Sequence, residues 1–227
     1  MISNLATAFA IALLAATLNG CAGSASEACP HCATAGAAES SNATEIRPAS
    51  AFTTEWTVPE RRKPALQNFT FENQDGIKVL SSDLRGMPAA MSFIYTRCQN
   101  QRKCPLVART MAELQTAIAD SNLLPKPRIL LVTYDPEFDT PALLKAFGNS
   151  HGFRGSENAM LLRPNSQTKQ RLIENLDIAV NYNEGGVNLH GVQLILLDKQ
   201  SRVVRRYHSR LWDNAHVIND LARLAAE

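Results

Sequence analysis

Two cysteines and one distant histidine are the residues of this 227-residue chain best suited to chemistry. Cys98 and Cys104 stand in the segment FIYTRCQNQRKCP, and His190 stands just ahead of the apolar run VQLILLD. Residues 89–95 read as a buried strand, and Pro105, Leu106 and Val107 open a helix, so both cysteines fall in a strand-to-helix turn. Thiolates in such a turn exchange disulfides or grip a soft metal ion, and an imidazole as third ligand favours the metal. The competing structural reading of the pair is a disulfide, which an oxidising compartment permits. The polar residues 99–103 between the two sulfurs suggest an exposed loop and argue against it. His190 taken alone would be an ordinary satisfied polar residue; only its company makes it a ligand candidate. His151, His208 and His216 lack such company and read as surface residues. Met87, Met91 and Met111 read as core or turn residues rather than thioether ligands.

Those side chains need a scaffold, and the hydrophobic pattern supplies one. Phe69-Thr70-Phe71 and Ile77-Lys78-Val79 alternate around Asn73-Gln74-Asp75-Gly76, whose Asp-Gly pair signals a hairpin. A helix is expected over residues 105–120, where Leu106, Thr110, Leu114 and Ile118 form a stripe. A strand over 128–134 follows, then a helix capped by Thr140 with Pro141 in its first turn. A further helix is expected over 166–175. Strands over 192–197 and 202–207 flank the turn Asp198-Lys199-Gln200-Ser201, and Asp213 or Asn214 caps a last helix bearing Val217, Ile218, Leu221 and Leu224. Strand, helix, strand, helix, hairpin and helix is the thioredoxin-like order. The expected fold is therefore α/β: a thioredoxin-like central mixed sheet flanked by helices, with an N-terminal hairpin and a disordered N-terminal tether.

Four segments in one order resemble a known family. Phe93-Ile94-Tyr95-Thr96-Arg97-Cys98, Cys104-Pro105-Leu106, the run from Tyr134 to Pro141 (YDPEFDTP) and His190 are similar to the SCO/SenC copper-binding proteins that help assemble the CuA centre of cytochrome c oxidase. The resemblance runs from about Leu66 to Glu227. It implies copper, as Cu(I) or Cu(II), held by Cys98, Cys104 and His190. It also implies Asp135 as a group that orients a ligand or biases its protonation, against the plain reading of Asp135 as a helix-start turn residue. The commonest family form has three residues between its cysteines, whereas five stand here. The donor set fits independently. Two thiolates and a neutral imidazole make a three-coordinate site suited to Cu(I), discourage Mg²⁺ and Ca²⁺, and fall short of the four ligands usual for zinc. The helix N-terminus, with Arg97, Arg102 and Lys103, would favour the thiolates.

Three functions follow from the same residues. The first is a copper metallochaperone without turnover, delivering the ion to a CuA-bearing oxidase subunit. The second is a thiol-disulfide oxidoreductase in which Cys98 and Cys104 are the catalytic redox pair, one attacking a partner disulfide and the other resolving the mixed disulfide, with a thiol reductase as a further partner. A peroxidase of the peroxiredoxin type would need a proline ahead of Thr96 in its loop, and there is none.

A net charge of +2 and 45% apolar residues describe an ordinary domain with no argument for nucleic acid. The basic stretch RVVRRYHSR reads as a solvated edge strand. Residues 5–18 form an apolar run of signal-core length, short of the ~20 residues of a comfortable membrane span. They end in Leu18-Asn19-Gly20-Cys21, similar to a bacterial lipobox. Residues 1–21 are accordingly read as a lipoprotein signal, 22–55 as a flexible tether rich in Ala, Ser, Thr and Glu, and 56–227 as the folded domain. That places the protein in the cell envelope or periplasm, membrane-anchored through a lipidated Cys21. Cys29-Pro30-His31-Cys32 falls in the tether, with an incidental or structural disulfide as its plain reading and an auxiliary thiol or copper site as the other.

Overall fold

The computed structural model describes residues 64–184, 186–208 and 212–227. The signal, lipidation and tether assignments, together with Cys21, Cys29 and Cys32, lie outside the described residues. Nine strands and four helices follow one another in the order β1 (Thr70–Asn73), β2 (Lys78–Leu80), β3 (Ala89–Ile94), α1 (Cys104–Asp120), β4 (Arg128–Thr133), α2 (Pro141–Ser150), β5 (Ala159–Pro164), α3 (Ser166–Asn175), β6 (Val180–Asn183), β7 (Gly186–His190), β8 (Leu194–Leu197), β9 (Val203–Tyr207) and α4 (Asn214–Ala226) among the described residues.

A seven-stranded mixed sheet runs β2-β1-β5-β4-β3-β8-β9. Its centre, β3-β4-β5, is parallel, and antiparallel hairpins close both sides. Every residue of β3 is buried, as expected of a strand covered on both faces. Successive side chains feed opposite layers. Ala90, Ile94, Ile129, Leu131, Leu194 and Leu196 pack with α1, α2 and α4, while Met91, Phe93, Leu130, Val132, Ile195 and Leu197 pack with α3 and the N-terminal hairpin. Met91 and Met111 are core residues.

The caps expected at Thr140 and Asp213 form, and Asn165 caps α3 in the same way. Thr140 accepts from the backbone N–H of Leu143, Asn165 from Gln167 and Asp213 from Ala215. Three strands go beyond the sequence expectation. β5 completes the parallel core, and β6 and β7 form a separate two-stranded sheet. His190 is the last residue of β7 rather than part of a loop. The basic strand β9 lies at the sheet edge, but its arginines do not meet solvent alone: Arg205 pairs with buried Asp220 at 2.7 Å and Arg206 donates to the Leu176 carbonyl at 2.6 Å, while Arg202, just ahead of the strand, pairs with Asp198 at 2.7 Å. No helix among the described residues is long and apolar enough to cross a membrane.

Candidate metal centre

The cysteines are placed by the junction of β3 and α1. β3 ends at Ile94, Cys98 follows in the turn, and Cys104 is the first residue of α1, with Lys103 at its cap position and Pro105 in its first turn. β7 brings His190 to them from 86 residues away. His190 Nε2 lies 3.8 Å from Cys98 Sγ and 3.6 Å from Cys104 Sγ, and the three candidate donor atoms all lie within 4.8 Å of one another. The two cysteines are not joined in a disulfide. The loop itself is exposed at Gln99 and Asn100, yet Cys98 is 7% exposed, Cys104 1% and His190 8%, so the donors are buried rather than displayed.

The ring orientation of His190 is set by its other nitrogen. Nδ1 lies 2.9 Å from the carbonyl oxygen of Gly191. A carbonyl only accepts, so Nδ1 carries a proton, and in the neutral ring Nε2 would present its lone pair to the sulfurs. The Tyr134 hydroxyl donates to the same carbonyl at 3.1 Å, and the rings of Tyr134 and Tyr95 pack against the imidazole at 5.1 and 5.4 Å between centroids. Lys103 Nζ donates to the His190 carbonyl at 3.0 Å, tying the α1 cap to the end of β7.

The two thiols are electrostatically unequal. A hydrogen bond from Cys104, partly opposed by burial, holds Cys98 far below the ordinary thiol range, whereas burial pushes Cys104 up, with hydrogen bonding to Cys98 adding to it. Burial and then the Cys98 charge raise Tyr95 to about 12. Two of the three basic residues expected to favour the thiolates are engaged elsewhere: Arg97 pairs with Asp135, and Lys103 serves the His190 carbonyl.

Asp135 does not reach the ligands in this arrangement. Its Oδ2 accepts from Arg97 Nη2 at 2.5 Å and Nε at 3.2 Å, and the Arg97 guanidinium lies 4.2 Å from the Phe138 ring centroid. The carboxylate beneath the cysteine turn is Asp139, fully buried, which accepts from the Thr96 backbone N–H, the Thr96 hydroxyl and the Thr133 hydroxyl. In the sequence Asp139 stands simply as the residue before a helix cap. Its spacing of four from Asp135 was visible, but only folding shows which of the two is fully buried.

The donor chemistry fits a soft ion. With ligand distances of about 2.3 Å to sulfur and 2.0 Å to nitrogen, as in zinc sites, the observed sulfur–nitrogen separations subtend angles of about 114–124° at a common centre. That is close to a trigonal opening, and among the described residues the two sulfurs are the polar groups that His190 Nε2 faces.

Fold and site together define a thioredoxin-like domain with a two-thiol, one-imidazole centre. The SCO1/SenC family model matches residues 58–226, and the chain belongs to that family. It is 35% identical over 86 residues to the "SCO1 protein homolog" of Bacillus subtilis (strain 168), a match covering 38% of this chain and 42% of that protein, so it spans less than half of that curated relative. A SCO1/SenC family lipoprotein of Bacillus anthracis str. Ames superposes with a TM-score of 0.63 at 30% identity, over 70% of this chain and 94% of that one. BsSco, described as a member of the Sco family of cytochrome c oxidase assembly proteins with a disulfide switch, superposes at 0.61 and 26% identity, over 71% and 93%. Bradyrhizobium japonicum ScoI, solved with copper bound, shares the fold at 0.54 and 22% identity, over 70% and 98%.

Proposed function

We propose that this chain is a copper metallochaperone whose cargo is held by Cys98, Cys104 and His190 and passed by ligand exchange to the CuA site of cytochrome c oxidase. The observation that carries the reading is the His190 ring, locked by Gly191 so that Nε2 faces both sulfurs. Two soft sulfurs and a neutral nitrogen select copper over hard cations. The copper-bound relative of the same fold and the oxidase-assembly description of BsSco support this choice of cargo and recipient. The domain is taken to run over 56–227, carried on a 22–55 tether from a lipidated Cys21 in the cell envelope, in keeping with the lipoprotein relative.

A second reading rests on the inequality of the thiols. The Cys98 thiolate attacks one sulfur of a partner disulfide and releases the other as thiolate; Cys104 then loses its proton, attacks Cys98, and leaves the partner reduced as the Cys98–Cys104 disulfide forms. Applied to the cysteines of a CuA site, this would prepare them for copper, and a thiol reductase would restore the pair.

An anaerobic Cu(I) competition titration separates the two readings. The chain carries Cys21→Ser, Cys29→Ser and Cys32→Ser so that only the folded site is counted. Tight binding of a single copper, weakened in Cys98→Ser, Cys104→Ser and His190→Ala, is the expected result. Absent binding together with fast thiol-disulfide exchange that survives His190→Ala would move the function to redox chemistry.

A further inference from the structure

The hairpin bearing His190 shares no strand ladder with the seven-stranded sheet that positions the cysteines, although the chain enters that sheet at β8 four residues after His190. The His190 end is thus tied by the chain and by Lys103, and the far end of the hairpin by side-chain contacts. One end of β7 is His190 itself and the other is Gly186, at most about 13 Å away, with a bulge at Asn188 between them. Gly186 has φ of +106°, and a Cβ there would lie 2.6 Å from Arg97 Nη2 and 3.7 Å from Asp135 Oδ2. The guanidinium cannot step aside freely. Asp135 holds it through two nitrogens and Phe138 lies against its flat face. The Asp135 side chain is only 6% exposed and requires that cation.

Resting on the copper-carrier reading, we infer that Arg97, Asp135 and Gly186 form a latch that fixes β7 against the cysteine turn. Arg97 is adjacent in sequence to Cys98, so the latch joins the base of one ligand to the far end of the strand carrying another. The three are positioning residues, and none of them contacts the donor atoms. Gly186 suits the place twice over: its φ of +106° disfavours any side chain, and the missing Cβ leaves room for the guanidinium that Asp135 holds against the backbone.

Asp135→Asn and Gly186→Ala test the latch in the full chain, with melting temperature as the check on folding. In the metal-free protein, amide exchange at Val187 to His190 is expected to speed about tenfold in either variant, while β3 and β8 keep their protection. Cu(I) affinity is expected to fall about 10- to 100-fold, and neither substitution should weaken it further in a His190→Ala background. Unchanged exchange at β7, unchanged affinity, or an equal loss of affinity with and without His190 would each overturn the latch. If the unsubstituted chain holds no copper, the carrier reading fails, and the exchange comparison still decides the latch.

Discussion

Cys98 and Cys104 share one turn and one imidazole, yet they are not interchangeable. Cys98 is the stabilised thiolate because Cys104 donates to it, and Cys104 keeps its proton because it is the more deeply buried. A lowered thiol pKa means that the nucleophile persists as pH falls. Iodoacetamide should therefore modify Cys98 first and still do so at about pH 6, where an ordinary thiol is almost entirely protonated. Cys104→Ala removes the donor, moves the Cys98 pKa upward, and should slow that reaction by at least about tenfold at the same pH. Mass-resolved alkylation rates across pH check it; a Cys104-first order of modification would refute it. The ligand candidates were legible because cysteine and histidine are rare and carry their chemistry in their type. The roles of Tyr134 and Asp139 were not, since an ordinary tyrosine and aspartate acquire them only through the groups that folding sets against them.

Helices were the easier elements to foresee, because their ends are written in local chemistry. Thr140 shows how: its side chain accepts from Leu143, and Pro141 supplies a φ already suited to a first turn. Thr140→Ala should cost about 1 kcal/mol, read as a lower urea midpoint with an unchanged slope. Strands were harder. β5 (AMLLRP) is buried almost throughout, so it lacks the alternation that marks a half-exposed strand. β6 and β7 are mostly polar or half-exposed, and no apolar stripe announces them. The Gly-Gly pair at 185–186 was the available turn signal. Missing that hairpin moved His190 from a strand to a loop in the sequence reading, which hid how the ligand is held.

At the scale of the whole molecule, the site lies beyond the carboxyl ends of the parallel strands β3 and β4, the side of an open α/β sheet where ligands gather. Main-sheet and hairpin donors meet there, so a bound ion should stabilise the native chain as a whole. With free Cu(I) at about a hundredfold over its dissociation constant, the gain is about 2.7 kcal/mol, visible as a higher urea midpoint. His190→Ala should gain less at the same free copper, and a strong chelator should return the native chain to its metal-free midpoint. No shift on addition of copper would count against specific binding to the folded state.

On the copper-carrier reading, burial of the donors also governs who can take the cargo. Cys104 is 1% exposed and His190 8%, while Gln99, Asn100, Gln101 and Leu189 beside them in sequence are exposed. A flat partner surface would rest on those neighbours and stop short of the ion. A recipient must instead reach inward with ligands on a projecting, narrow segment, so shape acts as the first filter on delivery, before any difference in affinity is felt.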